Sequence, residues 1–212
     1  MIEIAPSVLA ADPLYVHRDV KRLVAAGADV LHLDIMDGHF VPNLSFGPGM
    51  VAALSRDFPE VTRDVHLMIS NPGQYIDAFA KAGADEITVH SEVEEDVPGL
   101  LERIRNLGKK PGISIKPATR VEEVLSYLPY CDLVLLMTVE PGFGGQKLMP
   151  ELLGKLGQLR QAGFTGLLSV DGGVGEGNCQ MVAQAGATRL VMGTAAFSAP
   201  DARALFERCR AL

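Results

Sequence analysis

The chain has 212 residues, 48% of them apolar, and a formal net charge of −7 at pH 7. That length suits one domain with a large core, the acidic balance speaks against a nucleic-acid or anionic-membrane surface, and no apolar stretch nears the roughly 20 residues that span a bilayer. Three widely spaced cysteines, Cys131, Cys179 and Cys209, read as reduced thiols, and "MIEIAPSVLAADP" carries no signal-peptide pattern, so a cytoplasmic location is expected.

Short β-rich runs alternate with amphipathic segments along the whole length. Strands are expected at Ile2–Leu9, Val30–Met36, Val61–Met68, Glu86–His90, Gly112–Lys116, Leu133–Thr138, Leu167–Asp171 and Arg189–Gly193. Helices are expected at Pro13–Ala26, Pro48–Phe58, Pro72–Ala82, Val97–Leu107, Val121–Leu128, Glu151–Ala162, Gly175–Ala185 and Pro200–Arg210, several of them opening on a proline that suits the first turn. The phrases "AAGADV", "KAGADE" and "QAGATR" recur where a helix hands over to a strand. Glycine there serves as a helix cap and the strand follows directly. Eight βα units without a second composition block predict a single α/β domain over residues 1–212, a (β/α)8 TIM barrel. An open doubly wound sheet is the alternative, weakened by the lack of GxGxxG after the first strand.

Barrel enzymes place their chemistry at the C-terminal ends of the strands. In "VLHLDIMDGH", His32, Asp34 and Met36 alternate with Leu31, Leu33 and Ile35, so the two sets face opposite sides. A buried carboxylate needs a partner. His66 and Met68 repeat the pattern in "DVHLMIS", and Asp171 ends the seventh strand before two glycines. His32, Asp34, His66 and Asp171 could converge in one barrel mouth and hold one divalent cation, Zn, Fe(II), Co or Mn. A hydrogen-bonded pair in a polar core is the plainer reading of His32 and Asp34. Glycine-rich loops follow strands six, seven and eight: "VEPGFGGQK", "DGGVGEGN" and "MGTAAF". Main-chain N–H groups there can cradle a phosphate, though tight turns also favour glycine. Met36, Met68 and Met137 are expected to form a soft, water-excluding wall. Asp37, His39, His90, Lys116 and Lys147 read as structural or rim residues.

The motifs "SVLAAD", "LHLDIMDGHFVPNLSFGP", "DVHLMI", "TVEPGFGGQKLMP", "VDGGV" and "GTAAF" resemble the ribulose-phosphate 3-epimerase family, in order from Ser7 to Phe197. The resemblance implies a (β/α)8 barrel that interconverts D-ribulose 5-phosphate and D-xylulose 5-phosphate in the pentose phosphate pathway. It implies one divalent metal on His32, Asp34, His66 and Asp171, with Asp34 and Asp171 as the acid/base pair. It implies substrate contacts from Ser7, His66, Asp171 and the run Gly142, Phe143, Gly144 and Gly145, and from Gly172, Gly173, Gly193 and Thr194. Position 194 departs from the family's usual serine, but threonine keeps the hydroxyl and the amide. The partners implied are a phosphosugar and other copies of the chain in a homo-oligomer. Three rival functions stand beside this one: a 3-epimerase of a hexulose 6-phosphate such as D-allulose 6-phosphate, a Schiff-base lyase using Lys116, and a non-catalytic phosphosugar-binding protein.

Overall fold

The structure, a computed structural model, describes residues 2–212. Eight parallel strands run β1 (Glu3–Pro6), β2 (Val30–Met36), β3 (Thr62–Met68), β4 (Glu86–His90), β5 (Lys110–Ile115), β6 (Leu133–Met137), β7 (Leu167–Asp171) and β8 (Arg189–Met192). From β2 to β8 each pairs with the next, β8 pairs with β1, and a parallel bridge between Ser7 and His32 closes β1 onto β2. This is the expected (β/α)8 barrel. Strand alternation decides the faces. Leu31, Leu33 and Ile35 of β2, Val65 and Leu67 of β3, and Ile87 and Val89 of β4 join the large apolar core beneath the outer helices. The alternate set, His32, Asp34, Asp64, His66, Thr88 and His90, is buried on the inner face.

The outer layer holds α1 (Val16–Ala25), α2 (Pro48–Asp57), α3 (Ile76–Ala82), α4 (Val97–Asn106), α5 (Gly154–Gln161), α6 (Cys179–Gln184), α7 (Thr194–Phe197) and α8 (Ala202–Arg210). The recurring "AGA" joins behave alike. Gly27, Gly83 and Gly186 have φ of 98°, 103° and 110°, the left-handed cap that L side chains resist. The residue two places on then staples the neighbouring strand: Asp29 Oδ2 accepts the Ile4 amide at 2.8 Å, Asp85 Oδ2 accepts the Arg63 amide at 2.9 Å, and Thr188 Oγ1 accepts the Leu168 amide at 3.0 Å.

The structure corrects three expectations. No α-helix covers Val121–Leu128; the segment folds as two 3-10 turns, Val121–Glu123 and Leu128–Tyr130. Pro129 lacks an amide proton and disfavours helical backbone at Leu128. The first strand ends at Pro6 rather than Leu9, because Val8–Ala10 turns into a 3-10 helix. Prolines 13, 72 and 200 precede their helices by two to four residues, and α8 is capped instead by Asp201, which accepts the Ala204 amide at 3.0 Å. The short helix α7 was not expected.

Candidate active site

The register of adjacent strands builds the site. Between β2 and β3, His32 lies beside Asp64, Asp34 beside His66, and Met36 beside Met68. Between β6 and β7, Met137 lies beside Asp171. His66 Nδ1 is 3.1 Å from Asp34 Oδ1, His32 Nε2 is 3.2 Å from the same oxygen, and His32 Nε2 is 3.9 Å from Asp171 Oδ2. Ser7 Oγ donates to Asp34 Oδ2 at 2.6 Å. One donor atom from each of His32, Asp34, His66 and Asp171 falls within 4.8 Å of the others. The four side chains assembled from sequence therefore meet, from three strands.

Above them lies a cavity of about 490 Å³, a size suited to a small ligand. Ser7, Asp34 and Asp171 reach its floor, while His32 and His66 are fully buried beneath it. Met36, Met68 and Met137 line it, Met36 and Met68 from one apolar cluster and Met137 from another. Gly142, Phe143, Gly144, Gly145, Gly172, Gly173, Gly193 and Thr194 form its rim. Gly173, with φ of 69°, is required by contact as well as by conformation: a Cβ there would collide with the backbone nitrogen of Leu148. Thr138 holds the rim and Asp171 together, its amide donating to Asp171 O at 2.8 Å and its hydroxyl to Gly172 O at 2.7 Å. Across the mouth, Asn43 Nδ2 donates to Gly142 O at 2.8 Å, so the β2–α2 loop touches the β6–α5 loop.

Charge at the floor is unequally distributed. Burial opposes ionisation of Asp34, but His32 and His66 outweigh it and hold this carboxyl far below the usual range. Burial and the neighbouring Asp34 charge push Asp171 up to about 6. Burial also opposes protonation of His32, yet Asp34 and Asp64 raise it well above the ordinary imidazole value. Two converging carboxylates of which one resists ionisation, together with two imidazole nitrogens, make a mixed N/O donor set that fits a divalent cation. A cation there relieves the repulsion between Asp34 and Asp171.

The chemistry is framed by buried groups. Asp64 Oδ2 lies 2.9 Å from His32 Nδ1 and 3.4 Å from Arg189 Nη1. Arg189 is almost wholly buried inside the barrel and also pairs with Glu86 and with Glu3. Sequence reasoning missed this ionic plug. Its signal was the inward phase of Asp64, Glu86 and Arg189, all near strand starts, where charge reads as solvated. It also missed Glu92 and Phe40, which brace His90. Asp37 is structural: its carboxylate accepts amides from His39, Phe40 and Ser70, each at 2.8 Å. Lys116 lies over the Phe40 ring, Nζ 3.8 Å from its centre.

Residues 3–197 match the model of the ribulose-phosphate 3-epimerase family, a span that contains every residue of the cavity floor and rim named above. The chain belongs to the ribulose-phosphate 3-epimerase family. It is 46% identical to ribulose-phosphate 3-epimerase of a Synechocystis species over 94% of this chain and 89% of the relative. It is 42% identical to the Bacillus subtilis ribulose-phosphate 3-epimerase over 99% of both, and 44% identical to the cytoplasmic isoform from rice over 94% and 89%. Membership makes it a carbohydrate epimerase, an isomerase. Among solved structures, KGPDC from Streptococcus mutans aligns with a TM-score of 0.74 at 15% identity, over 100% of this chain and 96% of that one. A 3-hexulose-6-phosphate synthase aligns with a TM-score of 0.71 at 19% identity, over 99% of both. At those identities this family member shares a fold with them. Among its described residues, no helix is long and apolar enough to cross a membrane.

Proposed function

We propose that the chain interconverts D-ribulose 5-phosphate and D-xylulose 5-phosphate, with Asp34 and Asp171 as two bases acting on opposite faces of C3. One observation carries this reading: the two carboxyls converge on one cavity floor with unequal proton affinity. Inverting a carbon beside a ketone requires a proton taken from one face and another delivered to the opposite face. A single side chain does not easily reach both, and two acids, one taking a proton while the other delivers one, do. Ser7 fixes the Asp34 carboxylate by its 2.6 Å hydrogen bond, which leaves Oδ1 toward the imidazoles. The three methionines exclude water from the reacting carbon, which strengthens electrostatics there. The glycine rim at 142–145, 172–173 and 193–194 orients the phosphate through main-chain N–H groups. His32, Asp34, His66 and Asp171 would hold the divalent cation, with Zn, Fe(II), Co or Mn compatible with the donors. When bound, that ion supplies positive charge that stabilises the enediolate. The reading places the enzyme in the cytoplasm as a homo-oligomer.

The test is turnover of D-ribulose 5-phosphate by metal-supplemented protein, with a chelated control and D-allulose 6-phosphate as competitor substrate. The expected result is xylulose 5-phosphate formation that chelation abolishes and Asp34→Asn lowers by at least about 10³-fold, within the range that removing a positioned acid/base and charge-bearing group costs. A folded Asp34→Asn protein with near-normal rate, or preference for the hexulose, overturns it.

A further inference from the structure

His90 and Glu92 belong to no part of the mechanism above, yet both are held in specific contacts. His66 presents Nδ1 to the floor of the cavity, and its far nitrogen, Nε2, lies 2.9 Å from His90 Nε2. Two imidazole nitrogens at that distance share one proton, so one ring donates and the other accepts. The other nitrogen of His90, Nδ1, lies 2.9 Å from Glu92 Oε2. A carboxylate oxygen only accepts, so His90 Nδ1 carries a proton. In the neutral His90 ring, Nε2 is then an acceptor. His66 Nε2 must therefore be the donor, which leaves His66 Nδ1, 3.1 Å from Asp34 Oδ1, as the nitrogen that gives up any proton it shares with Asp34 when it ligates a metal. The link between His66 and His90 is thus polarised from the Glu92 end, while Asp34 accepts at the other end of the chain.

That end is fixed. Glu92 Oε1 accepts the Lys116 amide at 2.8 Å and the Thr119 hydroxyl, so the segment that follows β5 holds the carboxylate. The rings are stacked as well as bonded. His90 lies between His66, 4.9 Å away centre to centre, and Phe40, 4.7 Å away, and the Lys116 ammonium packs over Phe40. His90 is fully buried, and no substrate-facing surface is left to it.

We propose that His90, anchored by Glu92, is a positioning residue that holds the far Nε2–H of His66 and so reserves His66 Nδ1 for a metal. The inference rests on the metal-site reading given above. A ligand imidazole whose far N–H is held by a partner is oriented and made more basic, and loss of such a partner costs about 10- to 100-fold in metal affinity.

The experiment has two readouts. The first is long-range proton–nitrogen NMR of the histidine rings in metal-free protein. Wild type is expected to show His66 protonated at Nε2, the nitrogen that His90 holds. His90→Phe keeps the stacked ring but removes the acceptor, and is expected to leave His66 Nε2 only partly protonated. The second is titration with Co(II), read by visible absorption: His90→Phe is expected to bind about 10- to 100-fold more weakly than wild type. Turnover that is lost at limiting Co(II) returns when Co(II) saturates the site, which a merely unfolded or catalytically blocked variant does not show. Should His90→Phe fail to fold, Glu92→Gln supplies the same two readouts, because an amide can donate to His90 and remove the bias. His66 bare at Nε2 in the wild type overturns the proposal, as does wild-type Co(II) affinity in the folded variant. Absence of Co(II) binding by the wild type would refute the metal site itself, while the protonation of His66 Nε2 in metal-free protein would still decide the role of His90.

Discussion

Asp34 and Asp171 are the same residue type with opposite tendencies, and their neighbours explain the difference. Asp34 is surrounded by two imidazoles and the Ser7 hydroxyl. Asp171 faces Asp34 from β7, and burial plus that charge raise it to about 6. An acid whose pKa is higher in the folded than in the unfolded chain binds protons more tightly when folded. Its presence therefore costs stability as pH rises from about 4 through about 6, and the full cost persists above. In chelated protein, Asp171→Asn should raise stability at pH 7.5 by roughly 1 to 3 kcal/mol, at about 1.4 kcal/mol per pKa unit, and by well under about 1 kcal/mol at pH 4. Thermal unfolding at the two pH values checks this; equal or lower stability of the variant at pH 7.5 contradicts it. Single residues also show what was legible in the sequence. His32, Asp34 and His66 declared themselves because their phase on a strand conflicts with apolar neighbours. Arg189 did not: a charge at a strand start looks solvated, and only barrel closure brings it onto Asp64 and Glu86.

At the scale of elements, the strands were readable because period-two alternation separates the helix-packed face from the inner face. The recurring glycine joins were readable for a conformational reason, a positive φ that other residues resist. What escaped were the short pieces. Val121–Leu128 has a helical composition but lies against Pro129, and α7 is a four-residue turn below the length at which periodicity shows. The sequence also hid the partner of each join. Thr188 Oγ1 accepts the Leu168 amide at 3.0 Å and lies 3.3 Å from Leu168 O, tying β8 to β7. Thr188→Val keeps the shape and leaves a buried amide unpaired, so it should cost roughly 1 to 3 kcal/mol. Chemical denaturation gives the value, and a change below about 0.3 kcal/mol would contradict the stapling role.

At the scale of the molecule, closure of the sheet is what turns separate motifs into a site. β7 pairs with neither β2 nor β3, yet the C-terminal ends of all three share one floor, and the loops after β6, β7 and β8 share one rim. The bottom of the barrel is filled by the Arg189, Asp64 and Glu86 plug and by Leu133 and Leu135, so the cavity opens at one end. That end is the one lined by Asp34, Asp171 and the glycine rim. The two-base proposal depends on that closure, because Asp34 of β2 and Asp171 of β7 meet only across the barrel mouth.

A single turnover of D-ribulose 5-phosphate in D2O, quenched early and analysed by NMR at C3, tests it most directly. Two bases predict that the xylulose 5-phosphate formed carries solvent deuterium at C3, while recovered ribulose 5-phosphate still carries its original proton. Product that retains the original proton would mean that one group carries it from face to face, and would contradict the assignment of Asp34 and Asp171 as separate bases.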